Sequence, residues 1–298
     1  MRGMKPLQPL RGVRVLSLAL NLPGPAALMR LRAMGARCTK LEAPAPQGLD
    51  SSDPMAQYSR KAYDEMHTGI RRIEADLKSP TGQRKLHRTL ASSDVLLTSF
   101  RPSALRKLGL DWPALRRTYP ALCMVAIVGS PGERADEPGH DLTYLAEAGL
   151  VDGLNTPPTL FADMGGALLA SEAVLRAMLH RQHSGKGCFQ EVALSEAADW
   201  LALPRHWGLT VPGAAVGGGH AGYRVYPCKD GRVAVAALEP HFARALCTVA
   251  GLTPRSLAGM FDADTHEAIA AYLRSKTRRQ LDKLATEHDL PLHTLPAN

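Results

Sequence analysis

Two short stretches of the chain hold residue types that can move a proton on and off carbon. The first is Gly139-His140-Asp141, within PGHDLTYLAEAGL. The second is Asp163-Met164-Gly165-Gly166, within FADMGGALLASEAVL. They lie about twenty residues apart, and each puts one titratable side chain at the head of a small-residue, apolar segment. Histidine titrates near neutrality, and an imidazole and a carboxylate facing one cleft can serve as base and acid for a single carbon. Taken singly, each has a plainer reading. Asp163 reads as a helix N-cap satisfying free amides at the positive end of the helix dipole, and His140 as a loop histidine bonded to its neighbours. In the functional reading, Gly165 and Gly166 let a ligand approach the backbone closely, and amides at the helix start stabilise a developing oxyanion.

Other residues carry weaker signals. Glu239, in AALEPHF, ends a strand before a proline; beyond that structural role, it can orient His140 and raise its basicity. Arg101 follows the buried run DVLLTSF, at the carboxyl end of a strand, where open α/β sheets bind ligands. It reads either as a solvated loop arginine or as a phosphate contact, and Lys40 is a weaker candidate of the same kind. Gly217-Gly218-Gly219 lacks the strand–loop–helix setting of a phosphate-binding loop and reads as a flexible lid or linker. Nothing near Cys188 marks it as a nucleophile.

The elements that must position these residues alternate. VRVLSLAL is a continuous apolar run, as expected of a strand buried on both faces. A turn at NLPGP and a helix from Ala26 to Gly35 lead to a second strand, CTKLEAP. RRIEADL, DVLLTSF and ALCMVAIVG continue as strands. SPTGQRKLHRTLAS, with Ser79 as N-cap and Pro80 at the first helical position, ALRKLGL, and DWPALRRTYP, capped by Asp111, are helices between them. A long small-residue helix runs from Asp163 to about His183, then SGKGCFQEVAL turns into a strand and SEAADWLALPRHWGL into a helix. Such βαβ alternation predicts a parallel sheet. Beyond residue 210 the character changes. VPGAAVGGGHAG predicts a linker, and YRVYPCKDGRVAVAAL a hairpin turning at Lys229-Asp230-Gly231. Helices are expected in the remainder. The fold class is therefore α/β: a Rossmann-like large domain over 1–205, a Gly-rich linker over 206–222 and a smaller α+β domain over 223–298.

Composition narrows the function classes. The chain has 298 residues, 45% apolar and 21% charged, ordinary for a globular protein. No apolar run approaches the roughly 18 residues of a membrane span, and MRGMKPLQPLRG has no secretory apolar core. Five cysteines without CxxC spacing read as reduced thiols in a cytoplasmic protein, with no metal cage. The net charge is +8, but aromatics are only 5% and the cations are scattered along the chain. That speaks against nucleic acid, whereas a phosphate-rich small ligand would need only a local cluster.

The stretches PLRGVRVLSLALNLPGPAALMRLRAMGARCTKLEAP, IEADLKSPTGQRKL, DVLLTSFRPSALRKLGLDWPALR, PGHDLTYLAEAGL, FADMGGALLASEAVLRAMLHRQHSGKGCFQEVAL and YRVYPCKDGRVAVAALEPHF run in the order of a known family. In these motifs the chain resembles the family III (CaiB/BaiF) CoA-transferases, and within them the α-methylacyl-CoA racemases. The resemblance implies acyl-CoA substrates, no metal, no cofactor beyond the CoA of the substrate, no membrane or nucleic-acid partner, and a homodimer, often interlocked. It implies His140 and Asp163 flanking the α-carbon of a 2-methylacyl-CoA, with Glu239 beside the histidine, and Lys40 and Arg101 holding the CoA phosphates and adenosine end. In the transferase branch the aspartate matching Asp163 attacks the thioester instead. A non-catalytic CoA-binding protein is the third reading. The segment between PGHD and ADMGG is shorter than the family's usual one. The chain stops at PLHTLPAN, where the family normally continues for several dozen residues, so the return segment from small to large domain reads as missing.

Overall fold

The run VRVLSLAL, predicted as a strand over 13–20, forms one over only part of its length. In the structure, a computed structural model describing residues 7–297, β1 spans Arg14–Ser17. Val15 and Leu16 are both fully buried but belong to different apolar clusters. Successive strand side chains point to opposite faces, so a strand apolar at every position needs cover on both sides. The same alternation recurs in β4 (Val95–Thr98) and β5 (Cys123–Val128), where Val95, Leu97, Val125 and Ile127 join one cluster and Leu96, Met124 and Ala126 the other.

Helices supply that cover. On one face lie α1 (Pro23–Ala33) and the long α8 (Phe161–Ser184). Gly166, Ala167, Ala170, Ala173 and Ala177 are buried along α8, and side chains this small let a helix lie close to its neighbours. On the other face lie α4 (Pro80–Leu90), α5 (Pro102–Lys107) and α6 (Trp112–Thr118). The predicted caps are present: Ser79 Oγ accepts from Gly82 N–H and Asp111 Oδ1 from Ala114 N–H, each at 3.0 Å. With β2 (Arg37–Glu42), β3 (Arg71–Glu74) and β6 (Phe189–Ala193), the strands form a six-stranded, all-parallel sheet in the order β3-β2-β1-β4-β5-β6. Two short helices, α2 (Pro54–Tyr58) and α3 (Arg60–Met66), fill the connection between β2 and β3, where sequence periodicity had given no element. The chain continues through α7 (Asp141–Glu147) and α9 (Leu194–His206).

The chain divides into two compact units between Ala202 and Leu203, a few residues before the expected boundary. The second unit holds the predicted hairpin, β7 (Tyr223–Cys228) and β8 (Gly231–Ala236), with β9 (Leu292–Pro296) added antiparallel to β8. Helices α10 (Pro240–Val249), α11 (Ala263–Arg274) and α12 (Arg278–Glu287) contribute Leu246, Ile269, Leu273 and Leu281 to its core. Strand β9 corrects the expectation of helices throughout the remainder. The glycine run differs too. A Cβ on Gly217 or Gly219 would lie about 2 Å from the carbonyl oxygen of Val211 or Gly213, and Ala221 N–H donates to Met260 O at 2.8 Å. These glycines close a tight turn docked on the second unit. Among the described residues, no helix is long and apolar enough to cross a membrane.

Candidate active site

The strand order reverses between β1 and β4, so the chains leaving their carboxyl ends diverge and open a crevice, the usual ligand position in open α/β sheets. A cavity of about 270 Å³ lies there. Leu20 and Asn21 line it after β1, Ser99 and Arg101 after β4, and Gly129 after β5; His140, Tyr144 and Asp163 complete the wall. Leu20 N–H donates to Ser99 Oγ at 2.9 Å, tying the two diverging loops together.

His140 and Asp163 therefore border one cavity. His140 is the exposed residue preceding α7, and its backbone N–H donates to Thr143 Oγ1 at 3.1 Å. Asp163 is the third residue of α8 rather than its N-cap, which is Leu160. Its backbone N–H donates to Asp141 Oδ1 at 2.9 Å. Burial, and then the Asp141 carboxylate, push the half-buried Asp163 carboxyl up to about 7. A carboxyl titrating there gives and takes a proton with little penalty in either direction near neutral pH.

Two residues the sequence did not single out shape the site. Asp141 is buried and supplies the acceptor that anchors the start of α8. Tyr144 is buried in the cavity wall, with its phenol pushed up by burial first and the Asp163 charge second. A Cβ on Gly129 would lie 2.2 Å, and one on Gly139 2.4 Å, from the Tyr144 hydroxyl. The glycine of PGHD is thus there to admit a phenol. The signal was the spacing itself: Asp141 and Tyr144 fall on successive turns of the helix that PGHD opens.

Two sequence-based expectations change, the ligand role of the glycine pair and the phosphate role of Lys40, while Arg101 and Glu239 are simply placed. Gly165 and Gly166 are absent from the cavity lining; a Cβ on Gly165 would press on Ala197 and Leu201 at 3.3 Å, and one on Gly166 would lie 2.2 Å from Leu194 Cδ2. They admit α9, not a ligand. They also follow Met164, whose N–H already donates to Leu160 O at 3.0 Å, so they lie beyond the unbonded amides of the helix start and donate nothing to an oxyanion. Lys40 is fully buried. Its ammonium pairs with Asp53 and, at 3.4 Å, with Glu42 Oε1, so the charge expected on a CoA phosphate is held inside the fold. Asp53 in turn accepts from Asn21 N–H at 3.0 Å, which carries this internal pair to the lip of the cavity. Arg101 is exposed at the start of α5 and does line the cavity. Glu239 is exposed at the start of α10, in the second unit.

Glu42, Asp53 and His67 are the one group among the described residues with metal-ligand spacing, their ligand atoms lying within 4.8 Å of one another. Lys40 already places a cation on two of the three.

With this geometry in hand, the relatives are informative. Residues 10–296 match the sequence profile of CoA-transferase family III. A CaiB/BaiF CoA-transferase family protein of Caenorhabditis elegans is 30% identical over 83% of this chain and 74% of its own. The α-methylacyl-CoA racemase of mouse is 30% identical over 83% of this chain and 66% of its own. A probable fatty acyl-CoA transferase of Mycobacterium tuberculosis, Rv3272, is 32% identical over 65% of this chain, a stretch spanning about half (52%) of the relative's length. The crystal structure of Rv3272 superimposes with a TM-score of 0.80 at 26% identity, covering 97% of this chain and 84% of that one. The chain belongs to CoA-transferase family III.

Proposed function

We propose that this protein epimerises the α-carbon of a 2-methylacyl-CoA. His140 and Asp163 flank C2 of the bound thioester. One of them takes the C2 proton, leaving an enolate, and the protonated partner returns a proton to the opposite face; which acts as base depends on the enantiomer bound. The observation that carries this reading is the shared cavity: two titratable groups border one crevice at the strand-order reversal, and burial pushes one of them, Asp163, up to about 7. The α-proton of a thioester is a weak acid, so the enolate oxygen needs donors, each worth about 3–4 kcal/mol. Among the residues that line the cavity, Asn21 and Tyr144 carry side-chain donors for it. Arg101 is assigned to a phosphate of CoA. The homodimer expected from the resemblance is part of the same proposal and is tested by the mass in solution. Incubation of one pure enantiomer should give a mixture of both at C2; retention of the starting configuration with several 2-methylacyl esters contradicts the proposal.

A second reading has its own support, because several named relatives are CoA-transferases, including a succinate–glutarate CoA-transferase of Agrobacterium fabrum at 29% identity. Here the Asp163 carboxylate attacks the thioester carbonyl, a mixed anhydride forms and CoA leaves as thiolate. Hydroxylamine then modifies Asp163 only when acyl-CoA is present.

A further inference from the structure

The sequence scatters its cations, but the fold gathers six of them. At the amino-terminal ends of β1, β2 and β3 lies a second cavity, of about 670 Å³, lined by Arg14, Arg32, Arg37, Arg71, Lys85 and Arg88 and by no carboxylate. These side chains come from five elements: β1, α1, β2, β3 and α4. Strand register gathers Arg14, Arg37 and Arg71, and α1 and α4 add the other three. Parallel pairing sets Arg14 beside Arg37, and Thr39 beside Arg71. Thr39, Thr89, Ser92 and Ser93 place hydroxyls among the cations, and Val15, Ala36 and Cys38 form a buried floor.

Half of the cluster is held in place. Asp94 grips Arg14 through Nε at 3.2 Å and Nη2 at 3.3 Å. Lys85 Nζ donates to Glu74 O at 2.7 Å. Gly69, at φ +70°, leaves the space where a Cβ would lie 2.4 Å from the Arg32 guanidinium. Arg37, Arg71 and Arg88 make no ion pair among the described residues, whereas other exposed arginines of this chain do, such as Arg60 with Asp50 and Asp64, and Arg134 with Glu137 and Glu147. Asp94, which Arg181 Nη1 also engages at 2.8 Å, and the helix ends beside Arg32 and Arg88 at about half a negative charge each, offset at most about two of the six charges. About four remain unanswered in one concavity, repelling one another.

We propose that this cavity binds a polyphosphate anion, at the opposite end of the sheet from the acyl-CoA site. Several phosphates in a row match a row of cations with interleaved hydroxyls. A single carboxylate or one phosphate leaves most of that charge unmet. The proposal is independent of the reaction assigned to His140 and Asp163.

Calorimetric titration of the full chain with inorganic triphosphate tests it. One equivalent should bind, with affinity falling steeply as salt rises, as expected when several cations neutralise phosphates. Arg37→Gln/Arg71→Gln/Arg88→Gln should weaken binding by at least about tenfold. A control removing the same charge elsewhere, Arg116→Gln/Arg117→Gln/Lys186→Gln, should stay within about twofold, and Arg88→Glu alone should give a partial loss should the triple variant not fold. Saturating CoA should leave the affinity unchanged. Titration with ATP distinguishes the sources: tighter binding than triphosphate assigns a nucleotide, equal binding a free polyphosphate. No binding, equal losses in both triple variants, or competition by CoA overturns the proposal.

Discussion

Asp141 and Asp163 are linked by a hydrogen bond and opposed by charge. Asp141 Oδ1 accepts the backbone N–H of Asp163 at 2.9 Å, which fixes the first turn of α8, while its negative charge helps push the Asp163 side chain up to about 7. The bond stabilises the helix start, and the charge makes ionisation of the neighbouring carboxyl costly. Both effects come from one side chain at the first position of the helix that PGHD opens, so the two motifs are physically coupled.

Asp141→Asn separates the two effects. The amide oxygen still accepts from Asp163 N–H, but the like charge is gone, so the Asp163 pKa falls and its limb of the pH–rate profile moves toward acid. Asp141→Ala loses the acceptor as well and should cost about 1 kcal/mol more in stability, the usual worth of a capping bond. Rate profiles of the Asn variant and urea midpoints of both variants check this; an unmoved limb contradicts the coupling.

Asp163→Asn should raise stability at alkaline pH. A carboxyl whose folded pKa lies above its unfolded value of about 3.9 favours folding only while protonated. That contribution is complete below about 4 and is lost as pH rises through about 7. The neutral, near-isosteric amide escapes the loss, which is at most about 4 kcal/mol. Thermal unfolding at pH 5 and pH 8.5 should show variant and parent nearly equal at the lower pH and the variant higher at the upper. The activity is abolished throughout.

Gly129→Ala should close the cavity by pressing a methyl on the Tyr144 hydroxyl, and Tyr144→Phe should relieve it, since the next nearest ring atom is 3.1 Å away. The glycine variant should lose about 1–3 kcal/mol of stability, as overpacking does, together with most activity. The double variant should recover much of the stability. A double-mutant cycle on unfolding measures the coupling, and strict additivity contradicts the assigned role of the glycine.

Lys40 and Arg101 should respond differently to truncation. Lys40→Met leaves Asp53 and Glu42 buried with one cation fewer and should cost about 3–5 kcal/mol, with little change in KM for an acyl-CoA in the folded fraction. Arg101→Ala should leave the unfolding midpoint nearly unchanged and raise KM about tenfold, as loss of one charge-assisted phosphate bond would. The opposite pattern restores the phosphate role expected of Lys40.

Most of the large domain was legible because its central strands β4 and β5 are near-continuous apolar runs, which only a sheet covered on both faces tolerates, and because Ser79 and Asp111 announce helix starts. What the sequence hid was mostly direction. Lys40 sits on a strand beside its charged partner Glu42, yet Asp53, which decides that the ammonium turns inward, arrives from a connection with no periodic signal. Gly165 and Gly166 advertise close approach without saying by what; the answer, Leu194, Ala197 and Leu201, is a helix beginning more than twenty residues later. Strand β9 is short, half-exposed and closed by a proline, so its pairing with β8 rather than its composition makes it a strand. The basic cavity was invisible for a related reason: its six cations come together only when strand register aligns Arg14, Arg37 and Arg71 and the packing of α1 and α4 adds Arg32, Lys85 and Arg88.

The most direct test of the central claim is exchange of the C2 proton of a 2-methylacyl-CoA in deuterium oxide, followed by mass spectrometry for the parent, His140→Ala and Asp163→Asn. The shared cavity predicts deuterium at C2 with the parent, and loss of epimerisation in both variants. Under the transferase reading instead, the His140 variant would still let hydroxylamine modify Asp163 in the presence of acyl-CoA. Absence of exchange in the parent with every ester tried, or full exchange in the Asp163 variant, contradicts a proton-transfer role for the pair.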